Sequence, residues 1–326
     1  MKVGIDSFAL HPLKLQPLAI LEWAHAHHFD GVQFGFLGDD PGLWREVRAE
    51  ADRRGLYTHV SVSSPNVHLG KLDRATTLAR LTVQIERAAA CGWHELHSSL
   101  GGPDTRYQHP VPWTTHLADA TSLIQDLRPV LRAHHSRIDL ETHGEITTFE
   151  LVRLVETAGP DIAGVCLDTA NTLCFAENPV AAARRVAPYT HLTHAKDGIV
   201  YFCPTGIMRQ GRPPGQGQVD WTLILPLLAA HEPDLPLSIE DHKWLFSADV
   251  FLPAWHQANP DLPREELAQV VHLAWQTTQR FASGDLPDPA AYEAIPYADQ
   301  LEARLSSGRA YLAALASAPQ APPAQA

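Results

Sequence analysis

The segment RIDLETHGEITTFELVRLVETAGPDIAGVCLDT (137–169) holds the pattern that decides the fold. At its ends lie two short runs, RIDLETH (137–143) and AGVCLDT (163–169), rich in β-branched and apolar residues, and between them runs a longer stretch of helical periodicity. Each short run alternates. Ile138 and Leu140 share one parity, as do Val165 and Leu167, so one side of each strand packs on helices and the other points away from them. Glu141 and Asp168 fall on that second side, near the C-terminal end of each strand.

Working outward, the same unit recurs as KVGIDSF (2–8), DGVQFGF (30–36), LYTHVSVSS (56–64), WHELHSS (93–99), YTHLTHAK (189–196) and PLSIEDH (236–242). Helical stretches separate them, among them 15–28, 78–92 and 116–135, and the last is PREELAQVVHLAWQTTQRF (263–281). Strands alternating with helices are parallel, and eight such units close an α/β barrel of the (β/α)8, or TIM, type. The expected organisation is a barrel over 1–284, a helical extension over 285–317 that covers the bottom of the barrel or meets a second copy, and a disordered low-complexity tail, APQAPPAQA, over 318–326. The connections 198–218 and 243–262 are too long for plain links and are expected to serve function at the C-terminal face of the barrel.

Composition narrows the classes. With 45% hydrophobic and 19% charged residues the chain can fill a large core. Its 25 basic and 37 acidic residues leave a formal charge of −12, which repels phosphate backbones and anionic lipid, so nucleic acid and membrane are not expected partners. Four cysteines without a CxxC pair indicate neither a zinc knuckle nor a disulfide framework. The first residues, MKVGIDSFAL, lack the apolar run of a secretory signal, and the expected location is the cytoplasm.

The inward parity, read toward the strand ends, gives Asp6, Gln33, His59, His97, Glu141, Asp168 and Glu240, which is no apolar plug. Strand seven is not oriented by its pattern, since Leu192 shares parity with His194 and Lys196. Glu141, Asp168, His194 and Glu240 lie near the ends of four consecutive strands, so they can converge. Three carboxylates and one imidazole form an oxygen-rich site suited to one divalent ion, Mn²⁺ or Mg²⁺, with Co²⁺ or Zn²⁺ tolerated.

The ordered motifs LETHGE around Glu141, LDTAN (167–171), HAKD (194–197), GQGQVDW (215–221) and SIE (238–240) resemble those of the sugar phosphate isomerase/epimerase family, the xylose-isomerase-like TIM barrels. The resemblance spans roughly residues 1–285. It implies that Glu141, Asp168, His194 and Glu240 bind the metal and that Glu141 and Glu240 are also the catalytic acid and base, with Gln216 replacing a more usual Glu in the turn. Such a site binds adjacent hydroxyl and carbonyl oxygens of an open-chain sugar and stabilises an enediolate, the chemistry of aldose–ketose isomerisation or ketose epimerisation. His97, Asn171, Lys196, Arg209 and Arg212 are candidates for substrate binding, the arginines suiting a carboxylate or phosphate. Asp241, His242 and Lys243 follow Glu240 as supporting residues. The expected partner is a small sugar or sugar acid, and a homo-oligomer is compatible with the chain.

Other chemistries share this scaffold. A decarboxylase of a 3-oxo sugar acid, such as 3-oxo-isoapionate, reaches the same enediolate by losing CO₂. An inosose-type dehydratase and a non-catalytic sugar-binding barrel stand further off. An AP endonuclease needs three zinc ions and a histidine where Asn171 stands.

Overall fold

The computed structural model describes residues 1–70 and 72–318. Eight parallel strands close a barrel: β1 (Val3–Asp6), β2 (Gly31–Phe34), β3 (Tyr57–Ser61), β4 (Glu95–Ser98), β5 (Arg137–Glu141), β6 (Ala163–Asp168), β7 (Thr190–His194) and, after the insertion described below, β10 (Leu237–Ile239), which pairs with both β7 and β1. Each lies within the run expected for it and is shorter at its ends, where the backbone leaves the ladder to form the loops of the barrel rims. The unit that opened the sequence reading folds as a strand, a helix over Thr148–Ala158 and a strand. Thr147 starts that helix, its hydroxyl accepting from the Glu150 N–H while the Glu150 carboxylate accepts from the Thr147 N–H.

The apolar parity faces the helix ring, with Ile5, Val32, Val60, Leu96, Ile138, Leu140, Val165 and Ile239 buried in one core. Strand β7 is oriented by an irregularity rather than by alternation. Its register slips against β6 between Val165 and Cys166, after which Cys166 sits beside Leu192 and Asp168 beside His194. That slip brings His194 to the inward side. Inside the barrel Asp139 crosses toward Gly164, where a Cβ would lie 2.1 Å from Asp139 Oδ1 and 2.6 Å from His191 Cδ2. Only glycine fits there.

Three elements depart from the sequence reading. The stretch expected as a single helix over 116–135 is two, Trp113–Asp126 and Arg128–Ala133, because Pro129 cannot donate to the first and starts the second. The long connection 198–218 is an antiparallel hairpin, β8 (Asp197–Cys203) with β9 (Gly206–Arg212), joined by β11 (Leu245–Ala248) from the other insertion. The helix Arg264–Ala282 packs on this small sheet, where Val200, Ile207, Ala248, Trp255, Val270 and Ala274 make a second core. The place beside β10 and β1 in the helix ring is taken instead by Tyr297–Ser317, with Leu301, Leu305 and Leu312 in the main core. The C-terminal helices thus lie along the side of the barrel and not across its bottom. No described helix is long and apolar enough to cross a membrane. Beyond Ala318 the expected disordered tail lies outside the described residues.

Candidate metal centre

Four strand ends deliver the four expected ligands to one point. Ligand atoms of Glu141, Asp168, His194 and Glu240 all lie within 4.8 Å of one another at the C-terminal mouth of the barrel. His194 Nδ1 stands 3.3 Å from Glu141 Oε1 and 2.9 Å from Glu240 Oε2. The backbone aims Asp168: its Oδ1 accepts the N–H groups of Ala170 and Asn171, both at 3.1 Å, which leaves Oδ2 facing the cluster. Thr142 ties the ends of β5 and β6 together, its hydroxyl donating to the Asp168 carbonyl and accepting from the Asp168 N–H.

Asp168 Oδ2, Glu240 Oε2 and His194 Nδ1 are all buried and none has a hydrogen-bond partner. Native proteins rarely leave three such atoms unsatisfied at one spot. A dication fits them: two carboxylate oxygens and an imidazole nitrogen with free lone pairs, plus Glu141 as a fourth ligand. Lys196 supplies the local positive charge, with Nζ 2.5 Å from Asp168 Oδ2 and 2.9 Å from Glu240 Oε2, close as an ion pair but out of line for hydrogen bonds to those two oxygens.

The electrostatics follow from burial and charge together. Burial pushes the Asp168 carboxyl up to about 6, with Lys196 pulling against it and Glu240 and Glu141 reinforcing it. Burial also acts to raise Glu141 and Glu240, yet both are held well below the usual carboxylate range, Glu141 by His143 and His194 and Glu240 by Lys196 and His194. Lys196 is raised because the attraction of Asp168, Glu240 and Glu141 outweighs its own burial. The balancing charge comes from Lys196, His143 and His194, whose imidazole burial would lower but Cys166, Glu240 and Glu141 raise well above its usual range; a divalent ion would take the place of that His194 proton.

The substrate-binding candidates divide. His97 lines the mouth, with Nε2 3.1 Å from Glu141 Oε2 and Nδ1 2.7 Å from Ser61 Oγ. Asn171 donates to Glu141 Oε1 at 3.3 Å and accepts from Arg209 at 3.2 Å. Arg209 is fully buried, stacks on the Phe246 ring at 4.7 Å, donates to the Trp244 carbonyl and makes no ion pair among the described residues. Arg212 is not brought to this group. Three residues on in the same strand, it bonds Gln210 Oε1 and covers the Tyr292 ring at 3.5 Å. Of the residues after Glu240, His242 comes within 3.8 Å of Glu240 Oε1, whereas Asp241 pairs with Arg304 and Lys243 with the carbonyls of Tyr292 and Ile295. Gln216 donates to Ser307 Oγ on the C-terminal helix and so has a structural contact.

The site also holds residues to which the sequence reading gave no role. Gln33 Nε2 lies 2.7 Å from His194 Nε2, while Gln33 Oε1 is buried without a partner. Turning the amide over lets Oε1 accept the Nε2–H of His194, which satisfies the oxygen and leaves the Nδ1 lone pair toward Glu141 and Glu240. Asp6 Oδ2 stands 3.6 Å from the same Nε2, and burial pushes its carboxyl up to about 7. His143, on the wall of the mouth, bonds Glu145 at 2.6 Å; burial lowers it, but Glu145 and Glu141 raise it to about 10, so it is a cation at neutral pH. Above the cluster opens a cavity of about 470 Å³ lined by Phe8, His97, Glu141, His143, Glu240 and Trp244 among others.

The profile of the xylose isomerase-like TIM barrel family matches residues 21–267, and the chain belongs to that family. A relative from Escherichia coli (strain K12), the uncharacterized protein YihM, is 25% identical over 251 residues, covering 74% of this chain and 70% of the relative. Among solved structures, D-psicose 3-epimerase with D-tagatose from Clostridium cellulolyticum H10 superposes with a TM-score of 0.61 at 16% identity, over 86% of this chain and 98% of that one. A xylose isomerase-like TIM barrel protein from Mycobacterium smegmatis in complex with magnesium gives 0.60 at 14% identity, over 84% and 97%. The 3-keto-D-glucoside 4-epimerase YcjR of E. coli gives 0.55 at 15%, over 80% and 98%. At these identities the likeness is one of fold.

Proposed function

We propose that the chain is a divalent-metal-dependent enzyme that isomerises or epimerises a small sugar by moving a proton at the carbon beside a carbonyl. The observation that carries this reading is the convergence of Asp168 Oδ2, Glu240 Oε2 and His194 Nδ1, ion-paired but without a hydrogen bond among the described residues, beneath an open cavity. Glu141, Asp168, His194 and Glu240 hold the ion, and their oxygen-rich set favours Mn²⁺ or Mg²⁺. When bound, the ion supplies Lewis acidity to adjacent hydroxyl and carbonyl oxygens of the sugar. Glu141 and Glu240 are the groups that take up and return the proton: both are held ionised, and they flank His194 on two sides. His97 and Asn171 each bond one Glu141 oxygen and so set its direction, their other polar atoms being held by Ser61 and Arg209. Lys196 and His143 keep positive charge beside the oxygens of the substrate. The family membership and the names of the psicose and 3-keto-glucoside epimerases support sugar as the substrate class.

A second reading rests on Arg209. A guanidinium that is fully buried with no carboxylate partner among the described residues favours an anionic ligand, and a sugar acid that loses CO₂ would supply one. One experiment tests both. Mn²⁺-loaded protein is incubated in D₂O with a panel of ketoses and 3-oxo sugar acids and followed by NMR. The proposal expects deuterium at the carbon beside the carbonyl together with epimerised or isomerised product. Released CO₂ with a product one carbon shorter, deuterated where the carboxylate was lost, selects the decarboxylase, and neither product across the panel contradicts both.

A further inference from the structure

Above strands β4, β5 and β6 lies a second cavity, of about 430 Å³, that none of the four metal-centre residues lines. Its walls are largely apolar, with Phe175, Phe246 and Trp255 inside and Tyr107 and Leu252 at the rim. No lysine, arginine or histidine lines it. Its one acid, Asp249, is engaged at 2.5 Å by the Thr205 hydroxyl.

This cavity and the mouth of the metal centre share a partition. His143 and Trp244 line the mouth, and their near neighbours Gly144 and Phe246 line the second cavity. The Trp244 and Phe246 rings are 6.5 Å apart. Gly144 packs closely on Pro103, where a Cβ would lie 2.9 Å from Pro103 Cγ. Arg209 links the two sides, stacked on Phe246 and bonded to Asn171, which in turn bonds Glu141.

We propose that the second cavity is a subsite for an uncharged apolar substituent, alkyl or aryl, carried by the sugar whose reacting end lies at the metal centre. The substrate class is then an oxo-glycoside or similar sugar conjugate that keeps a carbonyl on the sugar, since the acetal of a plain glycoside leaves none to react. The inference rests on the reading that the metal centre takes a sugar. Each cavity alone has the size of a small-molecule site, so the mouth can seat the sugar while the second holds its substituent. The aromatic walls favour apolar groups and ring faces. An anionic substituent would meet an acid and no lining cation. Concavity, and a wall shared with the mouth, favour a ligand over a second copy of the chain.

The test is equilibrium binding by calorimetry to the Mn²⁺-loaded full chain, with 4-nitrophenyl and methyl β-D-glucopyranoside as probes. The aryl glycoside is expected to bind at least tenfold more tightly. Leu252→Asp and Tyr107→Ser alter residues that are 43% and 47% exposed, so the fold tolerates them. Each is expected to bring the aryl affinity down to that of the methyl glycoside, with Mn²⁺ affinity unchanged. Equal affinity for both probes in the wild type overturns the proposal, as does an aryl preference that both variants retain. Self-association that Leu252→Asp abolishes, without an aryl preference, also overturns it and gives the surface to a second copy. An aryl preference in protein that binds no Mn²⁺ upholds the subsite and sinks the functional reading instead.

Discussion

Strand β5 places two carboxylates inside the barrel two residues apart, and their surroundings differ. Glu141, at the upper end, faces His194, His97 and Asn171 at the floor of an open cavity, and stays ionised. Asp139, one step down, is fully buried with neither oxygen hydrogen-bonded, and its carboxyl is pushed well above the usual range by burial and by Glu95 nearby. Nearby, the ring of His59 is driven down to about 4 by burial. The lower cluster is therefore at least as perturbed as the upper one. What separates them is convergence and access: the upper acids bring their oxygens to one point beneath a cavity, whereas Asp139 joins no group of ligand atoms among the described residues and lines none of the cavities described above. Perturbed ionisation alone does not make a site.

The contrast can be broken first at the upper acid. Glu141→Gln or Glu240→Gln is expected to lower kcat by at least about a hundredfold, the size of a lost acid/base contribution, while circular dichroism stays unchanged. A defect confined to KM would assign these residues to binding. Gln33→Leu comes next. Without an acceptor for His194 Nε2–H, Mn²⁺ affinity by calorimetry is expected to fall about 10- to 100-fold, and Gln33→Glu, which keeps the acceptor, to lose less. Equal affinities in all three proteins would show that Gln33 does not orient the histidine.

Asp139→Asn carries the smallest effect on function, with Mn²⁺ affinity and turnover unchanged, and its effect falls on stability instead. Its sign is set by linkage. The folded state holds Asp139 protonated above the usual value of 3.8, so this residue's contribution is fully present below that pH and is lost as pH rises. Asp139→Asn removes the loss, and the variant should gain stability over the wild type between pH 4 and 7 in denaturant titrations. A variant that loses ground over that range contradicts the assignment.

The upper site was legible in the sequence because strand period and acid position coincide: Glu141, Asp168 and Glu240 each sit opposite an apolar parity. His194 was found by its motif, since the slip between β6 and β7 hides its orientation from any alternation rule. Gln33 and Asp6 were readable as inward, but a neutral amide and a lone acid on distant strands carry no ligand signal of their own. The hairpin β8–β9 was hidden by the Gly- and Pro-rich run after it and by its pairing with β11, some 35 residues on, as in Leu245 against Gln210. Read as a loop, it let Arg209 and Arg212 count alike. As a strand it separates them, because residues three apart face opposite sides, and only Arg209 reaches the site.

The central claim is that the four strand ends hold one metal ion, and metal stoichiometry tests it most directly. Protein stripped by chelator and titrated with Mn²⁺ in a calorimeter, with elemental analysis of the dialysed product, is predicted to bind one ion per chain in the wild type and in Asp139→Asn, and none tightly in Asp168→Asn. Absence of a saturable site in the wild type, three ions per chain, or undiminished binding in Asp168→Asn would contradict the account.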